Sequence, residues 1–311
     1  MSKHQQHISQ LQSTGGALYH KLLGLPTFEG WYLKLTAQET EEQFIVIFGF
    51  VRRKRDAHAF IQLASSHTTK AHYVTFPIAD LKIDTDAISI GPHYFDKTTI
   101  HINLPNFKIN VAQKTASTAL QQHGVIGFKK YVPFVNCKHD ILEMDAIVGG
   151  EIYCGNHRTT DQFNLYVETT WGSSFPKNYF WLHANRFKDH PTTSFLFAQA
   201  YPSFLGVKSK QLIGSLIHQG ERYDFHTHTT RVDFDPKNKR IQLKSKKVTV
   251  LLRYSAGKPI ELLAPLKGSM EHTILEHIHA PVSIHLTFPD TTTCKLHSNL
   301  GTWEYALNEN I

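Results

Sequence analysis

The chemistry available to this sequence lies in a set of acids and imidazoles embedded in aromatic surroundings. Glu29 stands between Phe28 and Gly30-Trp31-Tyr32, and His58 precedes Ala59-Phe60-Ile61. His139 and Asp140 follow Val132-Pro133-Phe134-Val135-Asn136-Cys137-Lys138, Asp145 follows Met144, and Glu168 lies three residues before Trp171. A carboxyl in an apolar wall has its charged form disfavoured, so it can stay protonated at neutral pH and serve as a general acid. The competing reading of each carboxyl is structural, a turn cap or a partner for Lys or Arg.

The second resource is the stretch from Trp171 to Phe187. Its front half, Trp171-Gly172-Ser173-Ser174-Phe175-Pro176, forces a corner, because Gly and Pro together continue neither a helix nor a central strand. Behind it, Tyr179, Trp181, His183 and Asn185 alternate with Phe180, Leu182 and Ala184. Period two predicts a strand with one apolar face and one face of polar-tipped side chains. Such a strand either crosses a core with its Trp as filling or forms the wall of a small-molecule pocket, with Trp181, His183 and Asn185 turned to the ligand.

The 21 histidines raise the question of metal. Gly220, His226 and His228 resemble half of a strand-borne metal motif, two His at i and i+2, but the downstream Glu and Gly are missing. His277 and His279 share the spacing and the deficit. There is no H-E-x-x-H, no paired C-x-x-C, no G-x-S-x-G elbow, no Walker loop and no G-x-G-x-x-G. Ser173 and Ser174 therefore read as turn residues, and the sequence calls for neither a metal nor a cofactor.

The elements that must position these groups are strands. Aromatic residues abound, with 20 Phe and 12 Tyr, and short runs at 43–51, 59–64, 87–90, 98–104, 107–111, 144–153 and 162–169 are separated by turn chemistry. Further runs follow at 179–187, 194–200, 211–218, 223–234, 240–254, 282–288 and 294–299. One short helix is expected at 270–279 and a helical turn near 17–23. The polar stretch 155–161 is the expected domain boundary, giving a tail (1–25), an N-terminal β domain (26–158) and a C-terminal one (159–311). The aromatic-rich openings of the two halves suggest an internal duplication.

The net charge of +7 is dispersed, and its densest run, 237–247, reads as a lysine-guarded edge strand with nothing to suggest a nucleic-acid site. Three cysteines without close pairing argue for a reducing compartment. The polar residues 1–16 lack the apolar core of a secretory signal. The longest apolar run, 44–51, is far short of a membrane span. A cytoplasmic protein is expected, with contact to a membrane surface at most peripheral.

Several of these motifs together resemble the tocopherol cyclase family. They are Phe28-Glu29-Gly30-Trp31-Tyr32-Leu33-Lys34, His58-Ala59-Phe60-Ile61-Gln62, Val132 through His139, Glu168 through Pro176, the 181–185 segment, and Ala264-Pro265-Leu266-Lys267-Gly268-Ser269-Met270. They occur in order over about residues 26–305. Thr169 and Asp140 depart from it, standing where the family often has a basic and a small residue. The resemblance implies an all-β chain of two lipocalin-like antiparallel β-barrel or sandwich domains, with few short helices. It also implies acid-catalysed closure of a ring on a prenylated quinol or related isoprenoid. On that expectation Glu29 or Asp145 is the acid, His139 orients the phenol or takes its proton, and Trp31, Trp171 and Trp181 steady the cation. His58, Glu168, His183 and Asn185 complete the substrate-binding set. The alternative is a carrier that holds the same kind of apolar molecule without chemistry.

Overall fold

The computed structural model describes residues 27–53, 56–96, 98–115, 136–204 and 207–306. The expected helical turn near 17–23 and the segment 132–135 lie outside them. The chain forms two compact units: unit 1 is Met1–Phe175 with Leu263–Thr273, and unit 2 is Pro176–Leu262 with Ile274–Ile311.

Unit 1 opens with β1 (Thr27–Ala37), β2 (Gln43–Arg53), β3 (Asp56–Ser65) and β4 (His72–Pro77). A single 3-10 turn, Ile78–Asp80, leads to β5 (Leu81–Ile83), β6 (Ala87–Ile90), β7 (His93–Asp96) and β8 (Thr99–Leu104). Then come β9 (Phe107–Thr115), β10 (Cys137–Cys154) and β11 (His157–Gly172). All are antiparallel in the order β4-β3-β2-β1-β11-β10-β9-β8-β7-β6-β5. A flat sheet of this order would hold its edges β4 and β5 about 48 Å apart at the usual strand spacing. The chain from Pro77 to Leu81 spans at most about 14 Å. The sheet is therefore rolled into a barrel, with Pro77 ending β4 at the seam.

Unit 2 contains β12 (Tyr179–Ala184), β13 (Ser194–Ala200), β14 (Ser203–Phe204), β15 (Val207–Lys208), β16 (Gln211–His218) and β17 (Glu221–His226). It continues with β18 (Arg231–Asp235), β19 (Arg240–Lys244), β20 (Thr249–Tyr254), β21 (Lys258–Leu266), β22 (Ser269–Thr287) and β23 (Thr293–Ala306). β21 and β22 reach into the 263–273 segment that clusters with unit 1. The main order, β17-β16-β13-β12-β23-β22-β20-β19-β18, again ends on two consecutive strands. Residues 227–230 join those edges, so this sheet is rolled as well. In each unit the first strand pairs with both the second and the last.

The alternation of β1–β3 sends Trp31, Leu33, Leu35, Phe44, Val46, Phe48, Ala59, Ile61 and Leu63 into the core of unit 1. Phe180, Leu182, Ala184, Phe195 and Phe197 fill that of unit 2. Each of the buried Val, Leu, Ile and Phe side chains contributes about 1.5–3 kcal/mol. No helix among the described residues is long and apolar enough to cross a membrane.

Four expectations are corrected. The units divide at Phe175/Pro176, because 155–161 holds the tight β10–β11 turn: Cys154 pairs with His157 and Gly155 takes φ +61°. The expected helix at 270–279 is part of β22, which is rich in β-branched Thr and Ile and whose Glu276 and His277 lie opposite Glu304 and Trp303 of β23. The 223–234 run is two strands separated by the seam of unit 2, which leaves His226 ending β17 and His228 in the turn, not on a shared strand face. His277 stacks on Trp303 at 3.9 Å between ring centres, while His279 occupies an irregularity at φ +49°, so this pair is not a ligand pair either.

A polar tie fastens the β1–β2, β3–β4 and β10–β11 turns of unit 1. Glu42 Oε1 lies 2.6 Å from Nε2 of both His67 and His157, and its Oε2 accepts from Thr159 Oγ1. Burial alone would raise this carboxyl, but the three hydrogen bonds outweigh it and hold the group below its ordinary value of 4.5. A carboxylate depressed by folding stabilises above its unfolded pKa and ceases to as pH falls through the folded one. Glu42→Gln is therefore expected to lower the melting temperature of unit 1 at pH 6–7, with the gap to the parent closing below about pH 4. Melting curves at both ends of that range check this, and a gap that widens on acidification would contradict it.

Candidate functional site

Side chains alternate along β1, so Glu29, Trp31, Leu33 and Leu35 share the barrel side and Phe28, Gly30, Tyr32 and Lys34 share the outer face. The register carries both sets across the sheet. Glu29 lies opposite Trp171 and Phe50, and Trp171 lies opposite Lys138 in turn. On the outer face, Gly30 is opposite Thr170, Tyr32 opposite Glu168 and Lys34 opposite Tyr166; Thr170 and Glu168 then face His139 and Ile141.

The outer face carries a continuous polar chain. Tyr166 O–H donates to Glu168 Oε2 at 2.5 Å. That oxygen lies 3.3 Å from His139 Nε2, and His139 Nδ1 lies 3.0 Å from Thr170 Oγ1. Tyr166 and Glu168 are buried, whereas His139 keeps 17% of its side-chain surface exposed. Register shifts in β10 follow at once, between Ile141 and Glu143 and between Glu143 and Ala146. Bulges of this kind re-aim side chains.

Beside this chain is an apolar cluster of Phe28, Val51, Phe60 and Cys137, against which Ile47, Tyr73, Phe175 and Met270 pack. Phe28 and Phe175 are 5.4 Å apart, Phe60 and Tyr73 5.1 Å. Gly30 and Gly49, opposite each other, separate it from His139 and Thr170. A Cβ on Gly49 would meet Phe60 Cζ at 2.4 Å, so that ring lies across the glycine, whereas one on Gly30 would meet nothing nearer than 3.7 Å. Burial, and then the charge on Glu168, push the Cys137 thiol far up, so it is a packed thiol and no nucleophile.

The segment 263–273 adjoins this face. Gln62 Nε2 donates to Leu263 O at 3.1 Å, and Leu263 N donates to Gln62 Oε1 at 2.7 Å. Phe175 N donates to Pro265 O at 3.2 Å. Gln62→Ala strands two part-buried backbone groups of Leu263, at about 1–2 kcal/mol each. It is expected to destabilise unit 1 by about 2–4 kcal/mol, measured by urea unfolding, and a cost under about 0.5 kcal/mol would show that Gln62 is not the clamp.

The sequence-derived candidates fall in different places. Glu29, Trp31 and Trp171 are buried on the barrel side, opposite in direction to His139. A cavity on that side, lined by Leu33, Phe95, Leu142, Glu143 and Leu165 among others, holds about 70 Å³. That is room for about two waters, not an isoprenoid. Asp145 is on the outer face, but it accepts from Asn164 Nδ2 at 2.9 Å, about 13 Å along β11 from Glu168. Neither expected acid, Glu29 or Asp145, therefore stands beside His139; Glu168 is the carboxyl there. His58 is held between Asp56 (2.7 Å) and Tyr73 O–H (2.8 Å) at the far end of the aromatic cluster.

Trp181, His183 and Asn185 belong to unit 2. The alternation of β12 is as expected, with Phe180, Leu182 and Ala184 in the core and Trp181 and His183 on the other face. Both faces are buried. His183 Nε2 is 3.4 Å from Ser194 Oγ, and the Asn185 carbonyl accepts from Ser298 Oγ at 2.9 Å. The strand stops at Ala184 rather than 187, because Arg186 takes φ +58°. Tyr166, Thr170, Phe60 and Tyr73 went unremarked as site residues; their signal is parity with Glu168 and His139 once the register is known.

Structural comparison finds the same fold in distant proteins. CghA matches with a TM-score of 0.57 at 11% identity, over 100% of this chain and 97% of the other. Kievitone hydratase from Nectria haematococca matches at 0.52 and 11%, over 97% and 91%. A putative AttH from Nitrosomonas europaea matches at 0.52 and 11%, over 91% and 93%. Comparison with curated protein sequences finds no significant match. The family model described as tocopherol cyclase-like matches residues 96–305, which include β10, β11 and nearly all of the chain through β23, and the chain belongs to that family.

Proposed function

We propose that this chain is a cyclase that closes a ring on a prenylated quinol or a related isoprenoid phenol by proton transfer on the outer face of unit 1. The observation that carries this reading is the Tyr166–Glu168–His139–Thr170 chain next to an aromatic, glycine-floored surface. Family membership supports the reaction class.

His139 is suited to hold the proton: Thr170 fixes one ring nitrogen and the Glu168 carboxylate stabilises the imidazolium. Tyr166 fixes that carboxylate. The proton passes from the imidazolium to one carbon of the prenyl double bond, which leaves a tertiary cation at the other. The phenolic oxygen captures the cation, and its proton returns to the imidazole. No atom is gained or lost, so the reaction is an isomerisation. Phe28, Phe60, Tyr73 and Phe175 supply ring faces that steady the cation and exclude water.

Native mass spectrometry of the protein from its own host, with extraction of any bound apolar molecule, tests the reading. A prenylated quinol or its ring-closed product supports it. A fatty acid or carotenoid returned unchanged after long incubation would mark the chain as a carrier instead.

A further inference from the structure

In unit 2, three soft donor side chains from separate parts of the sequence converge. His190 lies in the β12–β13 connection, His218 ends β16, and Cys294 lies at the start of β23. Their donor atoms all lie within 4.8 Å of one another, with His190 Nε2 at 3.8 Å from Cys294 Sγ. A zinc ion bonded tetrahedrally to sulfur at about 2.3 Å and nitrogen at about 2.0–2.1 Å sets that separation at about 3.6 Å. The observed spacing is only slightly wider.

The surroundings match a ligand set. His218 is 3% exposed, and its Nδ1 lies 2.9 Å from Thr193 Oγ1, leaving Nε2 as the coordinating nitrogen. Outer contacts of this kind fix the tautomer of a metal-bound imidazole. The rings of His190 and His218 lie 5.3 Å apart. The His190 connection is doubly turned: His190 N donates to Phe187 O and Thr193 N to His190 O. Arg186 and Asp189 both adopt left-handed backbone there, at φ +58° and +63°. The cluster includes no carboxylate, so a hard oxygen-seeking ion does not suit it, and two imidazoles with a thiolate do suit zinc.

We propose that His190, His218 and Cys294 bind a transition-metal ion, zinc in the first instance, with a fourth position left for water or another exchangeable ligand. The ion would staple three connections at one end of the unit 2 barrel: β12–β13, β16–β17 and β22–β23. It is separate from the His139–Glu168 chain, so either assignment can fail without the other.

Cobalt(II), a spectroscopic substitute for zinc, reads the site directly. The full chain is titrated in a His67→Ala background, which dismantles the Glu42–His67–His157 trio, the other such group among the described residues. The expected result is a near-ultraviolet sulfur-to-cobalt band saturating at one equivalent and displaced by zinc. Cys294→Ser abolishes the band, and His190→Ala, in a half-buried loop position, weakens binding by at least about tenfold. Zinc should also raise the melting temperature of the parent but not of Cys294→Ser. Absence of the band, or its survival in Cys294→Ser or at full affinity in His190→Ala, overturns the proposal.

Discussion

Replacing Glu168 by Gln, or His139 by Ala, should lower turnover of a prenylated quinol by about 10²–10⁴-fold, the usual contribution of a positioned proton-transfer group. Glu168→Gln preserves shape and a hydrogen-bonding partner for Tyr166, but it cannot carry the charge that stabilises a His139 imidazolium. Its effect should fall on kcat rather than KM, because the imidazolium matters in the transition state. Tyr166→Phe, which only releases the carboxylate, should cost less, about tenfold. Glu29→Gln offers the contrast, because Glu29 lies on the barrel side among Phe50, Trp171 and Trp31. A loss for Glu29→Gln as large as that for Glu168→Gln would move the acid to the other side of the sheet.

The second large effect is expected at the glycine floor. Gly30→Val adds bulk beside His139 and Thr170, and its Cβ would make only ordinary van der Waals contacts, with Ile47 Cγ2 at 3.7 Å and Phe48 O at 3.8 Å. The folded state should therefore keep its melting temperature within a few degrees, while kcat/KM falls by about 10–100-fold, since misplacement of a reacting group by about 1 Å costs that much. Gly49→Ala should behave in the opposite way. Its Cβ would meet the Phe60 ring at 2.4 Å and the Glu29 carbonyl at 2.9 Å. The ring can move but the backbone oxygen cannot, so a destabilisation on the order of 2–3 kcal/mol is expected. If Gly30→Val turns over substrate at the parental rate, the ligand does not lie across this floor.

Much of the fold was legible because the core strands are short apolar, aromatic-rich runs bounded by turn residues. The runs at 43–51, 59–64, 194–200 and 211–218 recur as β2, β3, β13 and β16 with little change in bounds. The missed strands are short, half-exposed or interrupted by proline, the four-residue β7 among the short ones. β4 is half-exposed throughout, β5 has three residues, and β21 contains a proline near each end. Long strands were read short where the ladder is irregular: against β11, β10 carries two register shifts, and against β23, β22 carries two, on either side of Ala280. The hairpin turn within 155–161 is polar and contains Gly155, so it resembled a boundary, whereas the seam at 227–230, Thr-His-Thr-Thr, has neither Gly nor Pro and did not resemble a break.

The site was half legible. Residue type and aromatic company picked out His139 and Glu168, but parity along a strand assigns a face only once the register across strands is known. Glu29 and Trp31 sit next to Gly30 and Tyr32 in sequence and on the opposite side of the sheet in space. The bulges of β10 break the simple count between His139 and Asp145, so no alternation rule applied to that stretch could place the two relative to each other. His190, His218 and Cys294 are too far apart in sequence to show any ligand spacing.

Turnover of a prenylated quinol in heavy water tests the central claim most directly. Proton delivery from the exchangeable His139–Glu168 pair predicts a ring-closed product with one deuterium on the former double-bond carbon, formed by the parent protein and suppressed in both Glu168→Gln and His139→Ala. Product without deuterium, or deuterated product formed equally well by both variants, would contradict the account.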